Sequence, residues 1–196
     1  MAPISGTGGA DNTADIQKLK SYSFEIGSIR PPSEGGSFSL LIRATRNCPW
    51  NRCAFCYGTP YNHERFELRS VAEIKADTDS ARAIRDEIKA LSWKYGHGGR
   101  LAPLARVIQS SLLYGHNLNQ LSGDELRNFH CVVNVFNWLG SGGKTAFLQD
   151  ADTLIMRTHE LVEVLKYLKE VFPSLERITS YARSKTISRK TAEELD

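Results

Sequence analysis

Cysteine is scarce in this chain, four residues in 196, and methionine is scarcer still, with two. Neither sign of charge dominates: 25 Lys and Arg face 22 Asp and Glu, leaving a net charge of +3, and both signs are mixed along most of the length. Such a balance supplies neither the basic footprint of a nucleic-acid binder nor a surface for an acidic partner. No apolar run approaches the roughly 18 residues that read as a membrane span. The N-terminus, MAPISGTGGADNTADIQKLK, lacks the apolar centre of a secretory signal. The expected setting is therefore reducing and cytoplasmic, without a membrane. What is present suffices for a core, since 41% of the residues are hydrophobic over the length of about one domain.

The cysteines are unevenly placed. Cys48, Cys53 and Cys56 fall together in RATRNCPWNRCAFCYGTPY, while Cys131 stands alone. In a reducing compartment clustered thiols point to a metal more often than to a disulfide, although Cys48–Cys53 and Cys53–Cys56 bridges both fit the spacing. Two metal readings stay open. Tetrahedral zinc wants four ligands, and His63 would complete a Cys3His set. A cubane iron–sulfur cluster takes three thiolates and leaves one iron open. Cys131, inside the apolar run NFHCVVNVF, reads as an inert core thiol and not as a fourth ligand.

Periodicity gives an alternating β/α chain. SFSLLIRAT places Phe38, Leu40 and Ile42 on one side and Leu41 on the other, a mostly buried strand leading into the cysteines. Ser70 and Glu73 have the spacing of a capping box before an amphipathic helix over 71–91. Residues 92–104 read as a glycine-rich loop and 120–138 as a helix. TAFLQ (145–149) is a strand ending on Asp150. Thr158 is placed to cap a helix that Pro173 stops, and 176–182 is a third strand. Three strands in this order imply a mostly parallel sheet with helices outside. Thr191 and Glu194 match another capping box close to Asp196, so the chain is expected to be a fragment. GSGGKT imitates a phosphate loop, but Trp138 stands where its first glycine belongs and a strand follows it, so that motif is set aside.

The segment LLIRATRNCPWNRCAFC resembles the cluster-binding segment of the radical S-adenosylmethionine (radical SAM) superfamily, and more narrowly a branch with Pro-Trp-Asn-Arg between the first two cysteines. The similarity continues through FLQDADTLIMRTHELVEVLKYLKEVFPSLERITSYARSKT. The chain departs from the common pattern in having four residues, not three, in the first cysteine gap, and in lacking a Gly-Gly-Glu type sequence at the second strand. The resemblance implies an α/β fold, a partial (β/α) barrel over residues 37–196 with a helical insertion at about 92–144. A disordered arm at 1–20 and a linker and turn region at 21–36 would precede it. It also implies a [4Fe–4S] cluster on Cys48, Cys53 and Cys56, with S-adenosylmethionine chelating the open iron. Phe55 would pack near the adenine, with Tyr57 and Gly58 continuing the loop. Gln149, Asp150 and Asp152 would meet the methionyl part, Asp150 receiving its ammonium, and Tyr181 and Arg183 would face the same pocket. The implied activity is reductive cleavage to a 5′-deoxyadenosyl radical, fed by a donor such as flavodoxin or ferredoxin and acting on a substrate the sequence does not identify. The rival expectation is a structural or interaction module built on zinc.

Overall fold

Apolar alternation around Leu40 and Ile42 produces the first strand, β1 (Leu40–Arg43), in the computed structural model of the chain, which describes residues 16–31, 38–53, 64–113 and 117–196. It pairs in parallel with β4 (Thr145–Gln149), and β4 pairs in parallel with β5 (Arg177–Ser180), giving the order β1-β4-β5. A second sheet joins β2 (Thr45–Arg46) to β3 (Glu67–Leu68) in antiparallel fashion. The register aligns Leu40 with Ala146 and Ile178, and Leu41 with Phe147 and Thr179. Leu40, Ile42, Ala146 and Leu148 belong to the main core cluster, whereas Leu41 and Phe147 are buried on the opposite side. Phe38, expected to continue the strand inward, lies before it and is 53% exposed.

The expected partial barrel is not what forms. Among the described residues the strands make two small open sheets, of three and two strands. Closing a barrel of this type takes about eight tilted strands, and three parallel strands with one short hairpin-like pair cannot wrap around a central axis.

Helix α1 (Val71–Lys94) starts where its cap was expected. The Ser70 hydroxyl accepts from the Glu73 amide, and the Glu73 carboxylate accepts from the Ser70 amide. A cap of this kind contributes about 1 kcal/mol. Ile74, Ala81, Ile84, Ile88 and Leu91 form its buried stripe, and Thr78 joins them by donating its hydroxyl to the Ile74 carbonyl. Each large aliphatic side chain so buried contributes about 1.5–3 kcal/mol. The helix runs on into the stretch read as a loop.

The segment between α1 and β4 is more regular than its composition suggested. It holds α2 (Ala105–Leu113) and α3 (Gly123–Gly140), the latter opened by a Ser122–Glu125 capping box. Helix α4 (Thr158–Val171) follows β4, but Thr158 does not cap it: Arg157 occupies that position without a side-chain bond, and the Thr158 hydroxyl donates to Glu194 instead. Leu161, Val164 and Leu168 face the core, where Trp138 of α3 meets Phe172 edge to face at 5.1 Å. After β5 come two short helices, α5 (Ser184–Ile187) and α6 (Ala192–Leu195), and α6 carries the expected Thr191–Glu194 box.

Residues 16–31 make a strap across one end of this assembly. Ile16 and Leu19, in the stretch read as an arm, are buried in the core. Asn128 of α3 holds the strap by donating from Nδ2 to the carbonyls of Leu19 and Tyr22. Cys131 Sγ accepts from the Phe24 amide and donates to the Phe24 carbonyl. No helix among the described residues is long and apolar enough to cross a membrane.

Candidate functional site

The parallel strands β1, β4 and β5 end on the same side, and open α/β sheets place their ligands outside those carboxyl ends. The residues singled out there separate into two groups. Gln149 and Asp150 turn toward the strap, whereas Arg183 reaches the ring of Trp50 and Asp152 bonds to Arg183 and Thr186 on that side.

Gln149 is wholly buried. Its Oε1 accepts from the Gly27 amide at 2.9 Å, and its Nε2 donates to the carbonyls of Gly27 and Ile29. Asp150, also wholly buried, receives Arg43 through Nε at 2.9 Å and Nη2 at 2.6 Å, and the Asn47 amide at 3.3 Å, all on Oδ2. Its other oxygen lies beneath Gly27, so close that a Cβ there would stand 2.6 Å from it. Burial pushes the Asp150 carboxyl up, and Arg43 with the neighbouring backbone amides offsets that only in part. Arg43 and the Asn47 amide take Oδ2, so the methionyl ammonium expected at this carboxylate would be left with Oδ1, which is buried beneath Gly27 and has no hydrogen-bond partner among the described residues.

Around this pair lies an ion network that the sequence did not announce. Glu25 accepts from Arg43 at 2.7 Å and from Arg46 at 2.6 Å, while Arg69 donates to Asp77 at 2.6 Å and to the Arg43 carbonyl at 2.7 Å. Burial raises the Glu25 carboxyl, but Arg46, Arg69 and Arg43 more than reverse this and hold it below its usual range. For Asp77 burial wins over Arg69 and the carboxyl sits above its usual range. Glu25, Arg43, Arg69 and Asp77 line an open cavity of about 750 Å³ between the strap, β1 and the start of α3, together with Arg30, Arg127 and His130.

The second group shapes a cleft of about 460 Å³. Two asparagines in left-handed backbone, Asn47 (φ 62°) and Asn51 (φ 47°), bracket Cys48, Pro49 and Trp50. Asn is among the few side-chain-bearing residues that tolerate this region, and both donate to backbone carbonyls, Asn47 to Arg65 and Asn51 to Glu64. Trp50 is 44% exposed, with the Arg183 guanidinium 4.9 Å and that of Arg52 5.5 Å from its ring centroid. Asp152 is buried and fixes the opposite wall, accepting from the Arg183 amide at 3.3 Å and the Thr186 hydroxyl at 2.6 Å. It, too, is occupied by the protein. Tyr181 packs edge-on against Phe147 at 5.3 Å. Leu154 and Ile155 form the apolar floor, and Lys185, Arg189 and Lys190 complete the rim. Lys190 is partly neutralised, donating to the Met156 carbonyl and the Thr158 hydroxyl with Glu194 3.7 Å away.

Cys48 and Cys53 are half-buried free thiols, and Cys131 is a buried one. Phe55, Cys56, Tyr57, Gly58 and His63 lie outside the described residues. Among the described residues no group of three or more His, Cys, Asp or Glu side chains is arranged to hold a metal ion.

Comparison with protein-family models, with curated proteins and with solved structures finds no match to the chain. The radical SAM resemblance is accordingly corrected. It has no support from any relative, its barrel is replaced by open sheets, and no metal-holding group is found among the described residues. The expectations that depended on it fall with it: the [4Fe–4S] cluster, S-adenosylmethionine, radical enzymology and a flavodoxin or ferredoxin donor. The zinc module likewise finds neither a relative nor a ligand group among the described residues. The chain is a mixed α/β protein with a polar cavity on one side of its strand ends and an aromatic, cationic cleft on the other.

Proposed function

We propose that this chain is a binding protein for a small organic anion with a flat ring, of the size of a nucleoside monophosphate, and that the Trp50 cleft is its site. The observation that carries this reading is the convergence of Trp50 with Arg183, Lys185 and Arg189 on one cleft beyond the strand ends. A ring stacks on indole, guanidinium forks match phosphate and carboxylate oxygens, and Leu154 and Ile155 exclude water from the ring edge. The volume lies within the range of about 300–1,000 Å³ usual for small-molecule sites. Arg183 thus keeps a place beside the ligand, with Asp152 acting through Arg183 by fixing its backbone. A reducing, cytoplasmic setting belongs to the same reading and is supported by the free thiols Cys48, Cys53 and Cys131.

Titration with uridine monophosphate, followed by tryptophan fluorescence, tests it. Saturable quenching is expected in the wild type and absent in Trp50→Phe, and Arg183→Gln should weaken binding about tenfold, as loss of one charge-assisted contact does. Equal affinity for uridine and its monophosphate, or unchanged binding in Arg183→Gln, would remove the cleft as an anion site.

A further inference from the structure

The cavity under the strap shares no lining residue with the Trp50 cleft, and it is rich in guanidinium groups. Its lining carries four arginines, Arg30, Arg43, Arg69 and Arg127, against two carboxylates, Glu25 and Asp77. The deeper pairs are internally matched. Arg43 is bound by Asp150 and Glu25, and Arg69 by Asp77. The outer cations are matched less closely. Among the described residues Arg30 donates to a neutral group, the Gly27 carbonyl; burial pushes its guanidinium below the usual value, and the charge of Asp150 offsets that in part. Arg127, among the described residues, pairs with Asp124, at 3.5 Å on the surface. His130 stands on the same wall, one turn along α3 from Arg127, and burial followed by the charge of Arg30 pushes its imidazole toward the neutral form.

Arg69 lines the cavity as well, but its Nε is buried in the protein and lies near carboxylate oxygens of Glu25 at 3.5 Å and Glu73 at 4.0 Å, so it belongs to the inner network. The groups that remain for a ligand are the outer ones: the guanidinium groups of Arg30 and Arg127 with the His130 imidazole on the same wall, a set of donors that complements an oxyanion.

We infer that this cavity is a second binding site, which takes a small phosphate or carboxylate dianion between Arg30 and Arg127, with His130 donating to it. Glu25 and Asp77 sit behind the anion and keep Arg43 and Arg69 in place, so they set the depth to which it enters.

The experiment uses the full chain, with inorganic phosphate and succinate as separate probes in isothermal titration calorimetry. Arg127→Gln alters an exposed side chain and leaves the buried network in place; Arg30→Gln and His130→Gln are the companion variants, with folding checked by circular dichroism. Saturable binding of one probe, weakened about tenfold by Arg127→Gln and by Arg30→Gln, is the expected result. The stronger probe identifies the anion as phosphate or carboxylate. Arg183→Gln should leave this binding unchanged, which separates it from the Trp50 cleft. No binding of either probe, or binding indifferent to both Arg30→Gln and Arg127→Gln, would overturn the inference.

Discussion

Asp150 and Arg43 form a two-pronged salt bridge at the end of the parallel sheet, with Arg43 Nη2 2.6 Å from a carboxylate that has no exposed surface. Arg43 also reaches Glu25, but among the described residues Asp150 has no other cation bonded to it. The two partners are therefore not equivalent. Arg43→Gln leaves a buried carboxylate without its counter-charge and should destabilise the fold by about 3–5 kcal/mol. Asp150→Asn leaves Arg43 with Glu25 and should cost less. Because the Asp150 carboxyl is held above its usual range, the cost of Arg43→Gln is smallest in acid, where Asp150 is protonated, and grows as pH rises through the folded-state pKa. Urea unfolding of both variants across the acid range measures this. A larger cost for Asp150→Asn would show that packing, not charge, governs the site.

Gly27 lies against both members of that pair. A Cβ there would stand 2.6 Å from Asp150 Oδ1 and 3.1 Å from Arg43 Nε, and neither can retreat without breaking the bridge. Gly27→Ala should destabilise by about 1–3 kcal/mol through overpacking. Gly140, at the end of α3, has open space around its Cβ position, so Gly140→Ala should stabilise by about 0.4–1 kcal/mol. Opposite shifts of the thermal midpoint are the expected readout.

Glu73 gives the fold an acid-sensitive cap. Its carboxyl is held down to about 2, first by the Ser70 amide and hydroxyl and then by Arg46. A depressed carboxylate stabilises fully above its unfolded pKa, about 4.5, and loses that contribution as pH falls through the folded value. Glu73→Gln retains the reciprocal cap bonds but cannot titrate. The gap in urea midpoint between wild type and Glu73→Gln should therefore close between about pH 5 and about pH 2. A gap independent of pH would assign the shift elsewhere.

Cys131 should be chemically silent in the native protein. Burial pushes its thiol up to about 12, and it is bonded to both backbone groups of Phe24. The thiolate is the reactive form, so Cys131→Ala should leave the number of thiols alkylated in the native state unchanged and remove one from the count in urea. A native-state loss would place Cys131 at the surface.

Much of the scaffold was legible because it is written locally. The Ser70–Glu73 box and the aliphatic stripe of α1 lie within a few turns of one another, and the alternation at Leu40–Ile42 fixes which side of β1 is buried. The site was legible only by residue, not by partner. Asp150 was singled out, but Arg43 is 107 positions away and nothing between them marks the pair. Glu25 sits in a strap without apolar periodicity, so its network with Arg46 and Arg69 left no pattern to read. Trp50 was passed over as spacing between cysteines. The barrel expectation rested on a short cysteine motif, and such a motif says little about how many strands surround it.

The amide of Gln149 bonds to Gly27 from both its oxygen and its nitrogen, doing for the strap what a neighbouring strand would do through its backbone. Asn128 and Cys131 fasten the rest of the strap in the same side-chain fashion. Nothing in the ladder between β1, β4 and β5 depends on those bonds. The stretch around Gly27 can therefore loosen while the sheet stays paired. Amide exchange should report this, with the amide of Gly27 opening at lower free energy than those of β4. An anion held by Arg30 would slow that opening, making occupancy visible as a delay in the first segment to come loose.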